Sequence, residues 1–386
     1  MSSIKKRIKA DAIELLDARR IRGARKVEIR KFEDPRRKAI YETVSLSADQ
    51  EQSIDEIYIT NYGEKIPYTW HRHFTAYTGK FDKYFFPELL YIPEYERFMN
   101  LNLFHSKTFE DKNALRLLAL AADVRMPETV FSNVGGVLQN HNREFVSIEE
   151  IMKIDGEFFV KPTVGTASGE GCQVISAKNG YDEISGLGIK SILDSKGNNW
   201  AIQERIHCHK QISDIYPNSV NTFRIMTYIW KDDIYHVPVI MRIGQGGANV
   251  DNAHAGGMFI ALDDDGTLHE KAFTEFKKEF TEHPDTKLKF KGYNIELFSK
   301  VLDAAIRAHS YIPQIGNINW DFTIDMEGNP VLIEANIIGG GIWLFEMAHG
   351  CGIFGERTPE ILRWVRVMKD LRTTERARFM FGKNFE

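Results

Sequence analysis

NINWDFTI (residues 317–324) and PVLIEAN (residues 330–336) are two segments in which polar and apolar residues alternate along most of their length. Because successive side chains of a β-strand point to opposite faces of a sheet, this pattern predicts two neighbouring strands. Asp321 lies on the polar face of the first strand, and Glu334 and Asn336 share a face of the second. The two segments therefore predict a β-hairpin that carries carboxylate and amide side chains on one face.

The sequence MEGN between the two strands is typical of a tight hairpin turn. A two-residue Glu-Gly loop would place Asp321 opposite Glu334 and Asn319 opposite Asn336, with Leu332 as an odd apolar member of the polar face. Opposed Cβ atoms are only ~4.5–5.5 Å apart, so two carboxylates there repel each other. A bound Mg²⁺ would offset this repulsion, because it prefers carboxylate and amide oxygens. The alternative is a solvent-facing hairpin that binds nothing.

Two glycine-rich segments indicate where a ligand could approach the backbone. IIGGG at residues 337–341 follows the hairpin directly, and glycine permits close approach of a ligand to the chain. TVGTASGEG at residues 163–171 follows an apolar strand pattern that ends with Lys161 and Pro162. Such a loop can fold over phosphates, and Lys161 could reach them as a point charge, although the pattern is not a Walker loop. An ordinary hairpin loop and a surface lysine are the alternatives.

Further cationic residues stand at the ends of predicted elements. Lys112 begins a helical pattern at 111–124 and has the same two interpretations as Lys161. Arg224 lies near the start of one long strand pattern, and Arg242 lies near the end of the next, so a hairpin brings them to the same end. Two guanidinium groups there could bind a phosphoryl or acyl-phosphate oxygen. Two ordinary surface arginines are the alternative.

A polar bend follows, in which Asn252 is favoured as a ligand contact over His254. The strand patterns of the chain arrive as neighbouring hairpins, and the helical patterns lie between groups of strands. This order is typical of an α+β protein and differs from a repeated βαβ arrangement. Residues 1–100 are expected to form a mainly helical accessory region, in which 61–100 is aromatic-rich and loop-like.

Composition excludes several classes of protein. The 386 residues have a net charge of −4 and a pI near 6.3, so nucleic acid is not an expected partner. No segment approaches the ~20 apolar residues of a membrane helix, and the three cysteines have no zinc-ligand spacing. Residues 1–40 carry 14 Lys or Arg against 6 Asp or Glu. Weak peripheral contact with an anionic membrane is one interpretation of that excess, and a solvated helix face is the other. A cytoplasmic protein is expected.

The ordered set of lysines, arginines, glycine loops and hairpin carboxylates resembles the ATP-grasp superfamily. More narrowly, NSVNTFR at 218–224 and DNAHAGG at 251–257 are similar to the sugar-transfer-associated ATP-grasp branch, over about residues 60–370. The resemblance implies a nucleotide held between two α+β lobes. The first lobe would be 101–205, with the phosphate loop, and the second 206–386, with the magnesium hairpin. Residues 1–100 would be an N-terminal helical extension in place of the family's usual α/β lobe.

The resemblance also implies a role for individual residues. Contacts with ATP would come from Lys112, Lys161, Gly165, Ser168, Gly169, Gln203, Glu204 and Ile206, the last three at the adenine hinge. Mg²⁺, or Mn²⁺ in its place, would be held by Asp321, Glu334 and Asn336. Catalysis would depend on Arg224, Arg242 and Asn252.

Family resemblance further implies an ATP-dependent carboxylate–amine ligase that acts through an acyl phosphate, in surface-polysaccharide or related cell-envelope biosynthesis. Its substrates would be a small-molecule carboxylate and an amine or amino sugar. A phosphotransferase acting on a small molecule and a non-catalytic nucleotide-binding protein are the alternatives.

Overall fold

The computed structural model describes residues 3–101, 108–164, 170–248, 251, 253 and 256–385, and for residues 3–7 it describes the backbone only. Of the residues predicted to form the site, Gly165, Ser168, Gly169 and Asn252 lie outside the described residues, as does His254.

The first hundred residues are mainly helical, as the sequence predicts. They form α1 (Ser3–Lys31), α2 (Pro35–Tyr41), α3 (Ala48–Asn61), α4 (Thr69–Thr78), α5 (Glu88–Leu90), a π-helical turn (Tyr91–Glu96) and α6 (Arg97–Met99). Capping fixes where some of these helices begin. The Ser47 hydroxyl accepts a hydrogen bond from the Gln50 N–H, and the Gln50 side chain accepts one from the Ser47 N–H, so α3 starts at a capping box.

The interpretation of 61–100 as loop-like is wrong. Trp70, Phe74 and Tyr77 recur at helical spacing on α4 and are almost completely buried. They belong to a core that also contains Met226 and Phe259 from a β-sheet further along the chain. Aromatic burial against that sheet, and not local propensity, therefore stabilises helices in this segment. Helices of the N-terminal region therefore share a core with that sheet, and the division at residue 100 stays a prediction.

The remaining described helices lie between and after the strands. They are α7 (Lys112–Ala121), α8 (Ile148–Ile151), α9 (Ile189–Asp194), α10 (Lys210–Ser213), α11 (Phe298–Ser310), α12 (Trp343–His349) and α13 (Thr358–Asp370), with 3₁₀ turns at Gly355–Arg357 and Arg376–Gly382. Among the described helices, none is both long enough and apolar enough to cross a bilayer.

A six-stranded antiparallel sheet forms first along the chain, in the order β2-β1-β6-β3-β4-β5. Its strands are β1 (Thr129–Val134), β2 (Val137–Asn140), β3 (Gly156–Pro162), β4 (Gln173–Lys178), β5 (Tyr181–Asp182) and β6 (Asn199–Glu204). It has its own small core, which includes Val160, Ile175 and Trp200.

An eight-stranded antiparallel sheet follows, in the order β12-β11-β10-β9-β7-β13-β14, with β8 paired to β7. Its strands are β7 (Thr222–Trp230), β8 (Asp233–His236), β9 (Val239–Ile243), β10 (Met258–Leu262), β11 (Leu268–Phe273), β12 (Glu279–Phe280), β13 (Asn317–Ile324) and β14 (Pro330–Asn336). One face packs against α11 and α7, and the other against the N-terminal helices and α13.

The two sheets fall inside the two predicted lobes, 101–205 and 206–386, whose boundaries stay a prediction. Helix α7 lies within the first of these ranges in sequence but packs elsewhere. Leu115 and Leu118 of α7 share a core with Phe223 and Trp320 of the eight-stranded sheet. This packing brings Lys112, at the start of α7, next to that sheet.

Candidate active site

The β13–β14 hairpin has the predicted register at the site but not the predicted turn. Asp321 pairs with Glu334 and Asn319 with Asn336, so the expected oppositions are confirmed. The prediction of a two-residue loop is wrong. The Asp325 N–H donates to the Asn329 carbonyl at 3.0 Å, which closes a three-residue loop.

A β-bulge at Ile333 restores the register. Leu332 pairs with Phe322 and Glu334 pairs with Asp321, which leaves Ile333 without an opposite residue. The Leu332 N–H donates to the carbonyl of Arg125 at 2.8 Å. Leu332 is buried while Ile333 and Glu334 are half-buried, so Leu332 does not share the polar face.

Three residues form a charged row across three adjacent strands. Arg224 on β7 pairs with Asp321 on β13, which in turn pairs with Glu334 on β14. The Arg224 guanidinium holds Asp321 in a bidentate ion pair, with Nη2 at 2.9 Å from Oδ2. Arg242 Nη2 lies 3.3 Å from the same Oδ2, so two guanidinium groups converge on one buried carboxylate.

Asp251 anchors the second arginine and was not selected from the sequence, although it stands in the quoted DNAHAGG motif. Its Oδ2 accepts hydrogen bonds from the N–H and the hydroxyl of Thr222. Arg242 donates to that hydroxyl oxygen through Nε at 3.1 Å and Nη2 at 3.0 Å, and Nη2 lies 3.4 Å from Asp251 Oδ1. Thr222 and Asp251 therefore fix the orientation of Arg242.

The two predicted lysines meet at the same side of the site. Lys112 Nζ lies 3.3 Å from Glu334 Oε1, and the Lys112 N–H approaches the carbonyl of Thr163, just beyond β3, at 3.5 Å. Lys161, near the end of β3, is only 4% exposed. Its burial, followed by the charge of Lys112, lowers its pKa to about 8. Two neighbouring ammonium groups with only one nearby carboxylate leave a positive charge, which favours binding of an anion.

The predicted hinge lies at the end of β6. Gln203 donates through Nε2 to the Thr129 hydroxyl at 3.1 Å, while its buried Oε1 has no partner among the described residues. The Glu204 carboxylate accepts from Arg125 Nη2 at 3.0 Å and from the Glu128 N–H at 2.8 Å. The Glu204 carboxylate therefore already accepts hydrogen bonds from the protein. The backbone after Glu204 is more available for a hydrogen bond to a ligand at the hinge.

One cleft of about 1000 Å³ lies between the sheets and is lined by all the described residues of the predicted site. These are Lys112, Lys161, Gln203, Glu204, Ile206, Arg224, Arg242, Asp321, Glu334 and Asn336. Phe159, Val174, Ile206 and Ile333 add an apolar lining. A cleft with both apolar and cationic walls fits a ligand that has a flat ring and several negative charges.

Carboxylates of the N-terminal region hold the glycine run after the hairpin. Glu96 accepts from the N–H groups of Gly339 and Gly340 at 2.9 and 3.1 Å, and Glu88 accepts from the Trp343 N–H at 2.7 Å. Burial raises the pKa of Glu96 to about 8. Sequence reasoning missed both glutamates, although acidic residues in the apolar segment ELLYIPEYERFM are an available signal.

The hairpin side chains suit a hard cation in their chemistry. In the part of the chain that the structure describes, no group of three or more His, Cys, Asp and Glu side chains could hold a metal by itself. Asp321 and Glu334 supply two carboxylates, and Asn336, whose Nδ2 lies 3.3 Å from Asp321 Oδ2, adds an amide. Mg²⁺ typically uses one or two carboxylates and completes its shell with waters and substrate phosphates, so this set fits it.

Comparison with solved structures finds distant similarity. The L-amino acid ligase from Bacillus licheniformis is 15% identical over 61% of this chain and 42% of its own, with a TM-score of 0.35. The D-alanine–D-alanine ligase from Bacillus anthracis is 14% identical over 69% and 70%, with a TM-score of 0.39. VanG D-Ala:D-Ser ligase from Enterococcus faecalis is 13% identical over 67% and 62%, at 0.41. The chain spans less than half the length of the first of these ligases.

No curated protein sequence matches the chain. The family model described as sugar-transfer associated ATP-grasp matches residues 92–361, which is most of the chain. This match confirms the family and the α+β ATP-grasp fold that the sequence motifs predict. The chain therefore belongs to the sugar-transfer associated ATP-grasp family.

Proposed function

We propose that this chain is an ATP- and Mg²⁺-dependent carboxylate–amine ligase that acts through an acyl phosphate, on precursors of surface polysaccharide or a related cell-envelope polymer. The observation that carries the proposal is the charged row Arg224–Asp321–Glu334, which faces the same cleft as Lys112 and Lys161. Cationic side chains and oxygen atoms that can bind Mg²⁺ thus line one cleft, in which a nucleoside triphosphate would contact a second substrate.

Each wall of the cleft has a separate task in this proposal. The adenine ring lies against Phe159 and Ile333, with backbone hydrogen bonds near Ile206. Lys112 and Lys161 bind the phosphates as point charges. Asp321, Glu334 and Asn336 hold Mg²⁺, which supplies charge neutralisation of the phosphates when bound.

The arginines act on the group in transfer. When the substrate carboxylate attacks the γ-phosphorus, the P–O bond to ADP breaks and an acyl phosphate forms. Arg242 is half-buried and held by Thr222 and Asp251, so its guanidinium needs little reorganisation to face the developing negative charge. Arg224 keeps Asp321 oriented through its bidentate ion pair. The free amine then attacks the acyl carbon, the C–O bond to phosphate breaks, inorganic phosphate leaves, and the nitrogen releases a proton to solvent.

A screen of ADP release tests the function. Small carboxylates are crossed with amines and amino sugars in the presence of Mg²⁺ and ATP, and products are followed by ³¹P NMR. ADP with free phosphate, formed only when both substrates are present, supports ligation. ADP with phosphate attached to a substrate would support the phosphotransferase instead. If nucleotide binds but no pair releases ADP, the protein is a non-catalytic nucleotide binder.

Matched variants connect that activity with the cleft. Asp321→Asn should abolish substrate-dependent ADP release, whereas Asp264→Asn, at an exposed position, should leave it unchanged. Unchanged release in the Asp321 variant would contradict the assignment of the hairpin.

A further inference from the structure

A second group of charged residues lines the same cleft, and we call the space around them the N-terminal pocket. It is lined by Glu28 and Lys31 of α1, by Arg37 of α2, by Glu88 of α5 and by Trp343. The four charged residues precede residue 92, where the family match begins. None of them belongs to the nucleotide-binding set described above.

Glu88 has an unused oxygen in this pocket. The residue is only 4% exposed, and its Oε1 accepts one hydrogen bond, from the Trp343 N–H at 2.7 Å. Among the described residues, Oε2 has no hydrogen-bond donor, although the side chain lines the cleft. Oε2 is also not among the buried side-chain atoms that lack a partner, so this oxygen is open to the cleft, where a cation or a hydrogen-bond donor can reach it.

The nearby cations of the protein are already engaged. Lys31 Nζ lies 2.8 Å from Glu28 Oε2, and Arg37 Nη2 lies 2.9 Å from Glu275 Oε1. Burial, and then the charge of Glu28, raises the pKa of Glu88 to about 7, so Lys31 and Arg37 offset these effects only in part. In the described residues, Glu88 therefore has no ion pair of its own, because each of these two cations contacts another carboxylate.

The pocket adjoins the segment that leaves the metal hairpin. Trp343, which binds Glu88, follows the run Gly339–Gly341, and that run begins three residues after Asn336. A Cβ at Gly341 would lie 3.8 Å from Glu88 Oε1 and 2.8 Å from the Trp343 ring. A side chain at position 341 would therefore displace the Trp343 ring, so glycine permits the present position of Trp343 beside Glu88.

We propose that Glu88, with Glu28 as a second negative charge, forms the subsite that binds the acceptor substrate, a primary amine, in its ammonium form, before the nitrogen releases a proton and reacts as the free amine. The inference rests on the ligase function proposed above and adds the residues that select an amine over a hydroxyl group as the acceptor. A charged amine completes the hydrogen bonding of Glu88 Oε2 and balances the pocket. A neutral hydroxyl group of the same size would leave the carboxylate without a counter-charge.

Paired probes test this subsite in the full chain with Mg²⁺ and a non-hydrolysable ATP analogue. Glucosamine is compared with glucose, galactosamine with galactose, and ethanolamine with ethylene glycol, and dissociation constants are measured by saturation-transfer NMR. At least one amine should bind at least tenfold more tightly than its hydroxyl partner. Glu88→Gln keeps an acceptor for the Trp343 N–H but should remove that preference, whereas Glu33→Gln, at an exposed position, should keep it.

Glu28→Gln provides a second variant if Glu88→Gln does not fold, and it should reduce the preference severalfold. Equal binding of every amine and its hydroxyl partner would overturn the inference, and so would an undiminished preference in the glutamine variants. The dissociation constant of the ATP analogue is measured in the same samples. Absence of nucleotide binding by the unaltered chain would contradict the proposed function. The comparison of amines with their hydroxyl partners would still show whether Glu88 forms an amine-binding subsite.

Discussion

Replacement of Arg242 by alanine separates the structural and chemical roles of the site. The Arg242 side chain is 12% exposed, and its guanidinium group donates two hydrogen bonds to the Thr222 hydroxyl and lies within 3.4 Å of carboxylate oxygens of Asp251 and Asp321. Asp321 keeps its bidentate partner Arg224, but Asp251 keeps only the two donors of Thr222. The variant therefore leaves one buried carboxylate without a cation.

The expected magnitudes follow from this arrangement. Removing one partner of a buried ion pair costs about 3–5 kcal/mol of unfolding free energy. Loss of a preorganised donor at the transferring group lowers turnover on the order of 10²–10³-fold. The double variant Arg242→Ala/Asp251→Asn removes the uncompensated charge. It should recover a large part of the lost stability and none of the lost turnover.

Urea unfolding and substrate-dependent ADP release, measured on both variants and on Arg378→Ala as an exposed control, provide the comparison. Parallel recovery of stability and turnover in the double variant would show that Arg242 acts only through the fold. Such a result would refute its assignment to the transferring phosphoryl group.

Three further predictions concern the metal, the nucleotide and pH. Glu334→Gln should raise the Mg²⁺ concentration needed for half-maximal ADP release at least tenfold; an unchanged Mg²⁺ dependence would exclude Glu334 as a ligand. Lys161→Met should weaken binding of a fluorescent ATP analogue at least tenfold, whereas Lys153→Met should not; equal affinities would remove Lys161 from the phosphate site. The pKa of Glu96 is raised from 4.5 to about 8, so its contribution to stability is full below pH 4.5 and is lost as pH rises through 8. Unfolding free energy should fall across this window by at most ~1.4 kcal/mol per pH unit from this group, and Glu96→Gln should flatten the profile; the same slope in both proteins would contradict the shift.

The central hairpin could be predicted because its information is local. Alternation along β13 fixes which side chains share a face, and a short turn brings β14 back beside it. The bulge at Ile333 could not be predicted, because it accompanies a hydrogen bond from the Leu332 N–H to the distant carbonyl of Arg125. The turn was one residue longer than expected, and the bulge compensated for it.

The N-terminal region shows the opposite case. Pro67, Pro87 and Pro93 indicate interruptions, and the interpretation of 61–100 as loops follows from them. In the structure, Pro87 precedes α5, and Pro93 lies inside the π-helical turn that follows it. Burial of Tyr91 and Tyr95 against the core stabilises that turn, and such packing is not visible in local sequence.

The same limit applies to the site. Lys161 could be identified because it ends a strand pattern before a glycine-rich loop, and Arg242 because a hairpin brings it to the same end as Arg224. The direction in which a long side chain points depends on hydrogen-bond partners that are distant in the sequence. Glu204 accepts from Arg125, and Glu96 accepts from Gly339 and Gly340, and neither contact follows from local pattern.

Isotope transfer tests the central claim most directly. A carboxylate substrate labelled with ¹⁸O in both oxygens is turned over with its amine, Mg²⁺ and ATP, and the released phosphate is examined by mass spectrometry. An acyl-phosphate ligase transfers one ¹⁸O from the carboxylate to inorganic phosphate, and the amide retains the other. Released phosphate without ¹⁸O, or phosphate that stays on a substrate, would contradict the account.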